Sequence, residues 1–372
     1  MATEYHAEHV GSLLRPPWLL EAREARARGQ LSDAELAEAE DRAVGEAIEL
    51  QRQAGMQVFT DGELRRTNWM DGLLSSIGGV VGVQRPKVQW TRPDGSRPPR
   101  EETDFATVAA SAPVFQRANH TRTEAAFLDQ YSPGAFKITM ISASMGWLIW
   151  DADISAVAYP TPAELVRDLA ALQVKEIEGL IDQGVTWLQL DSLNYNQVFD
   201  AHFRSATIGA AFDPADILAA AVTVDTHVVT AAKQHDPGVT IGMHICRGNN
   251  RSAWMAQGSY EPIAERLFGE VGVDRFLLEY DTDRAGGFEP LRFVRPGTTV
   301  VLGLVSSKVP QLESPDDLRR RIDQAAAYVP LENLALSPQC GFASTSQGNL
   351  LTIDEERRKL ELVATTAEKV WG

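Results

Sequence analysis

Short β-type runs alternate with longer helix-period segments almost from end to end, and this alternation limits the fold more than any other feature of the chain. The strand candidates cover residues 6–12, 58–61, 137–142, 187–191, 240–246, 275–280, 299–305 and 333–337. Helix-period segments lie between them, at 33–54, 161–184, 214–234, 314–328 and 352–371. Two helices announce their starts: Thr161 before Pro162 and Ser314 before Pro315 each pair a capping hydroxyl with a proline whose fixed φ suits the first turn. Strand then helix, repeated about eight times, predicts an α/β protein built as a single (β/α)8 TIM-type barrel over residues 1–372.

The rhythm breaks between residues 72 and 134. This stretch holds the glycine-rich SSIGGVVGV, the basic RPKVQWTRPDGSRPPR at 85–100 and a β-type run, EETDFATVAAS. It reads as an insertion after the second strand that covers the barrel mouth. The basic segment is rich in proline and turn residues, so an exposed hairpin or flap fits it better than a nucleic-acid patch.

With 372 residues, 44% of them hydrophobic, the chain can bury a large core without disulfide staples. Its two cysteines, Cys246 and Cys340, lie too far apart to form a disulfide framework, which predicts a reduced, cytoplasmic protein. The start, MATEYHAEHVGSLLRP, lacks the basic and apolar segments of a secretory signal. No run reaches the roughly 18 apolar residues of a membrane span, so a soluble protein is expected. A net charge of −16 repels phosphate backbones, and neither nucleic acid nor a membrane is an expected partner. A homo-oligomer is compatible with these properties.

Barrels of this kind carry their chemistry at the C-terminal ends of the strands. The polar residues placed there are Ser12, Asp61, Glu63, Ser142, Ser144, Asp191, Asn194, His244, Cys246, Glu279, Asp281, Ser306 and Cys340. Residues i and i+2 of a strand share a face, so His244 and Cys246 address one point while Met243 and Ile245 turn to the helix layer. Glu279 ends the next strand and Cys340 follows the last. An imidazole, two thiolates and a carboxylate are a donor set for zinc, although a His-x-Cys pair by itself is more often core packing than a metal site.

As an ordered set, HVGSLLRP, TDGELRR, LQLDSLN, HICRGNN, FLLEYD and LSPQCGFAS resemble the C-terminal catalytic domain of the cobalamin-independent methionine synthase family, in a short single-domain form. The resemblance implies a zinc-dependent methyltransferase that alkylates the thiol of homocysteine to give methionine. It implies zinc on His244, Cys246, Glu279 and Cys340, with Glu279 the most displaceable ligand. Ser12 would face the substrate carboxylate, and Glu63 and Asp191 its ammonium group. Trp147, just after the third strand, falls where the family places residues on the methyl-donor side; a lid or packing role is the alternative. The plainer readings are that Glu63 pairs with Arg65 or Arg66, that Asp191 caps the turn after its strand, and that Ser12 is only a turn residue.

The chain departs from the family pattern in two places. The long form has a second, N-terminal barrel that helps hold polyglutamylated folate, and no counterpart is expected here. Within LGLVSSKVP, the place of the histidine that protonates the departing pterin nitrogen falls on Val305, beside Ser306, and neither is an acid near neutral pH. His9 and His120 are the substitutes considered. The donor therefore stays open between a folate, another methyl donor and a strained electrophile such as an epoxide, the last being the alternative reaction. A non-catalytic zinc protein is a further alternative, disfavoured because structural zinc sites are usually closed cysteine and histidine sets. A porphyrinogen-decarboxylase-like barrel would have no use for the two cysteines.

Overall fold

The structure, a computed structural model, describes residues 5–71, 75–83, 88–99 and 107–372. Its strands are β1 (Val58–Phe59), β2 (Ile77–Val83), β3 (Thr107–Gln116), β4 (Ala135–Phe136), β5 (Ile138–Ile141), β6 (Trp187–Ser192), β7 (Thr240–Ile245), β8 (Arg275–Glu279), β9 (Thr299–Val305) and β10 (Leu334–Pro338). Strands β5 to β10 form one parallel sheet in chain order, and β1 pairs in parallel with β4, which leads into β5. Helices Pro162–Asp182, Pro214–His235, Glu261–Glu270, Pro315–Ala325 and Ile353–Trp371 link or follow these strands. The result is the expected (β/α)8 TIM-type barrel.

The first barrel strand is the least regular. Residues 6–12 carry one parallel bridge, Ala7 with Leu336, rather than a full strand. On the other side Leu13 N donates to Gly62 O at 2.9 Å and Thr60 Oγ1 to Gly11 O at 2.7 Å. Side chains also secure this seam from within. Lys137 Nζ donates to Glu8 Oε1 at 2.8 Å, to His9 O at 2.6 Å and to Gln189 Oε1 at 2.6 Å, while Arg275 Nε donates to Glu8 Oε2 at 2.9 Å. Groups so deeply buried persist only because each charge is paired and hydrogen-bonded.

The helices form for reasons visible in their ends. Ser32 and Glu35 close a capping box on helix Asp33–Gln53, and Thr352 and Glu355 do the same for Ile353–Trp371. Helix Pro214–His235 is long and apolar enough to cross a membrane by length and composition alone. Here Ile217, Leu218, Ala221, Val222, Val228, Val229 and Ala232 are buried at helical spacing.

The insertion is shorter than the expected 72–134. Residues His120–Tyr131 are a helix, capped by Asn119 and packed beside β5 and helix Pro162–Asp182, so they are the helix of the second βα unit. The β-type run at 101–111 is strand only from Thr107, where β3 pairs antiparallel with β2; its earlier part lies outside the described residues. Part of the basic segment at 85–100 is likewise outside them. The described portion docks at the C-terminal end of the barrel, where Thr91 and Trp254 exchange two backbone hydrogen bonds of 2.9 Å. Trp90 joins Met70, Ile141, Met145, Leu193 and Met255 in an apolar cluster against which Cys246 packs.

Candidate metal centre

Strands β7 and β8 and the turn after β10 deliver the four donors. His244 lies within β7, opposite Asp191 of β6, and Cys246 follows it by two residues on the same face. Met243 and Ile245 point the other way, into the main core. Glu279 is the last residue of β8. The register of β10 on β9 slips between Ser337 and Pro338, and Gln339 N then bonds Val305 O at 2.8 Å, which turns Cys340 back over the barrel. Gly341 is needed there, because a Cβ would meet Ser12 Oγ at 2.0 Å.

One ligand atom from each of His244, Cys246, Glu279 and Cys340 lies within 4.8 Å of all the others. Cys246 Sγ and Cys340 Sγ are 3.5 Å apart and both cysteines are free. Tetrahedral zinc, with bonds of about 2.3 Å to sulfur and about 2.0–2.1 Å to nitrogen, spaces its donors by roughly 3.3–3.8 Å. His244 Nδ1 lies 3.0 Å from Leu277 O, a contact that turns Nε2 toward the other three donors, beside Cys340. A backbone carbonyl that fixes the tautomer of a ligating histidine is the usual support of a metal site. The residues therefore fit a zinc ion.

The electrostatics favour a cation. Cys246 hydrogen-bonds Cys340 and, against the effect of burial and with help from His244, draws the Cys340 thiol down to about 5. The same contact, together with burial, pushes Cys246 well above the ordinary thiol range. Burial opposes charge on His244, but the neighbouring Cys340, Asp191 and Glu279 lift it to about 9. Burial also works against ionised Glu279, and Arg284, Lys308 and Arg247 outweigh it. Glu279 Oε1 accepts from Arg247 N at 2.6 Å and Oε2 from Arg284 Nη2 at 2.7 Å.

Beside this cluster stands a second group of carboxylates. Glu63 is buried at a φ of +56°, a strained conformation for a side-chain-bearing residue. Its Oε1 accepts from Thr139 Oγ1 at 2.8 Å, and its Oε2 is buried without a partner. Arg66 Nη1 is 3.6 Å from Glu63, but Arg66 is bidentate to Glu124 at 2.8 and 2.6 Å, and Arg65 pairs with Asp41. Asp191 does not cap the turn after β6; its Oδ1 accepts from Gln189 Nε2 at 2.8 Å. Burial pushes Asp191 up to about 7, His244 nearby opposing and the Glu63 charge reinforcing this. Ser12 is buried against the Cys340 turn, with Phe342 N donating to Ser12 O at 2.8 Å.

Other sequence-predicted residues lie elsewhere. Trp147 packs with Val166, Ile217 and Phe212 between helices, in an apolar cluster that contains none of the metal-site residues. Tyr195 OH donates to Asp225 Oδ2 at 2.6 Å, and Asp225 also accepts from Ser142, so Ser142 and Ser144 belong to a buried network. Val305 is in the core, and Ser306 Oγ donates to Asp281 Oδ2 at 3.0 Å. His9 bonds Gln51 and is pushed down to about 3 by burial and by Lys137, so it is no acid near neutral pH; His120 is exposed at a helix start. Sequence reasoning missed Arg284, Asn249 and Lys308. Lys308 carried the same signal as the chosen residues, a polar group just past a strand, but stands two residues beyond Ser306.

The profile of the family described as "Cobalamin-independent synthase, Catalytic domain" matches residues 7–355. The chain is 36% identical over 369 residues to YxjH of Bacillus subtilis, covering 99% of this chain and 95% of YxjH. It is 22% identical to a methionine synthase of Pyrococcus abyssi, over 90% of this chain and 85% of that one. Among solved structures, a Listeria monocytogenes protein of the vitamin-B12 independent methionine synthase type aligns with a TM-score of 0.72 at 27% identity, covering 100% of this chain and 99% of that one. Motifs, barrel and profile agree, and the chain belongs to the cobalamin-independent methionine synthase family, as its catalytic domain.

Proposed function

We propose that this protein is a zinc-dependent S-methyltransferase that places a methyl group on the sulfur of homocysteine. The observation that carries the proposal is the convergence of four ligand atoms, from His244, Cys246, Glu279 and Cys340, within 4.8 Å of one another. Zinc held by His244, Cys246, Glu279 and Cys340 supplies a Lewis acid that keeps a substrate thiol deprotonated near neutral pH, where a free thiol with a pKa of about 8.5 is mostly protonated. Glu63 and Asp191 bind and orient the amino-acid end through charge-assisted hydrogen bonds to its ammonium group. Ser12 and the backbone of the Cys340 turn receive the carboxylate. The apolar cluster under Trp90 excludes water from the sulfur side of the site. The product sulfur carries the new methyl group, and the donor leaves with the electron pair of the broken bond.

The surroundings of Val305 favour a second reading of the donor. With Val305 in the core and Ser306 engaged by Asp281, no acid stands at those two positions to protonate a poor leaving group. A more reactive methyl donor, or a thiol-alkylating reaction that opens an epoxide, needs less of such an acid.

The test is zinc content. Cys340→Ser and His244→Ala each lose stoichiometric zinc and all thiol alkylation while keeping a cooperative unfolding transition. Glu279→Gln loosens zinc less, because a neutral oxygen donor remains. Full zinc occupancy in both of the first two variants contradicts the assignment.

A further inference from the structure

The two cysteines come from segments 94 residues apart, and something must hold their turns together. Lys308 follows β9, the strand between those of Glu279 and Cys340, and is buried. Its Nζ donates to Gly248 O at 3.1 Å and to Asn249 Oδ1 at 2.7 Å. Asn249 Nδ2 in turn donates to Gly341 O at 2.7 Å and to Ser344 Oγ at 3.2 Å. One side chain thus reaches the turn after Cys246, and through its amide partner the turn after Cys340. Gly248 adds the last link: its N–H lies 3.2 Å from Cys246 Sγ, at a φ of +91° where a Cβ would meet Met255 Cγ at 2.6 Å.

We propose that Lys308 and Asn249 form a strap that holds Cys246 against Cys340 and sets a cation beside the anionic donors, and that this strap sets the affinity of the centre for zinc. The inference rests on reading the four-donor cluster as a zinc site. Two thiolates and a carboxylate exceed the charge of a divalent ion, and in a buried site the surplus needs a fixed counter-charge. Arg284 is occupied by Glu279 and Asp281, and the Arg247 guanidinium points to Tyr260 OH and Gly258 O, which leaves Lys308 as the cation spanning the two cysteine turns. Both residues act through the ligands, as positioning residues, and so their signature is in metal binding.

The experiment is competition for zinc between the purified holoprotein and a chromophoric chelator. Lys308→Met and Asn249→Ala are each expected to weaken zinc binding about 10- to 100-fold, the usual cost of removing an outer support of a metal ligand. The double variant should be little worse than the weaker-binding single variant, since two members of one strap do not add. Wild-type zinc affinity in both single variants, while Cys340→Ser loses the metal, overturns the strap, as do fully additive losses. Zinc retained by Cys340→Ser overturns the site reading instead. Asn249→Ala keeps the buried charge, and if Lys308→Met does not fold it decides the question alone.

Discussion

Asp191 is a carboxylate whose charge the fold leaves short of partners. It sits in register with His244, takes a hydrogen bond from Gln189 and is otherwise buried, so its charge lacks a full partner. Burial and the charge of Glu63 raise its pKa, and a bound ammonium group would relieve both effects. Glu63 is its counterpart, with one buried oxygen unpartnered and a left-handed backbone. Arg15 maintains that backbone, its Nη2 donating to Glu63 O at 3.0 Å and its Nη1 to Ala343 O at 2.9 Å. Asp191→Asn keeps the shape and removes the charge. Steady-state kinetics should show the KM for homocysteine rising by about tenfold or more, roughly one lost charge-assisted hydrogen bond, with a smaller fall in kcat. An unchanged KM removes Asp191 from the ammonium pocket.

Elements differ in how plainly the sequence declares them. Strand β9 falls on its expected bounds because TVVLGLV is a continuous apolar run buried on both faces, as parallel barrel strands are. The four clustered donors were legible for a related reason: strand ends in a barrel converge, and period two puts His244 and Cys246 on one side. Residues 6–12, HAEHVGS, have no such apolar run and hold their place mainly through Glu8 and the carbonyls of His9, Val10 and Gly11, contacts made with partners remote in sequence. Helix His120–Tyr131 was hidden by the irregular stretch before it, although Asn119 caps it. The strap residues were illegible because a lysine past a strand looks like a solvated charge until its partners are known. The docked segment at Thr91 yields its own test. Thr91→Pro removes the N–H that bonds Trp254 O, and limited proteolysis should cut within 88–99 several times faster, with the unfolding midpoint little changed. Unaltered cleavage means that the two backbone bonds do not hold this segment down.

At the scale of the whole molecule, a charged interior supports a charged rim. Glu8, Lys137 and Arg275 join the first, third and sixth barrel strands, and Gln189 carries the chain of hydrogen bonds from Lys137 to Asp191 at the site. Lys137→Met strands the Glu8 carboxylate with Arg275 alone and should cost about 3–5 kcal/mol in denaturant unfolding, as breaking a buried pair does. A loss below about 1 kcal/mol would mean that the barrel closes without this network. Above it, the ends of β7, β8 and β10 bring together the four donors for which we propose a thiol-activating metal. X-ray absorption at the zinc edge, with and without homocysteine, tests that claim most directly. One zinc per chain with two sulfur ligands, rising to three when homocysteine is added, is the predicted result; no zinc, or a zinc whose sulfur count ignores the thiol, contradicts it.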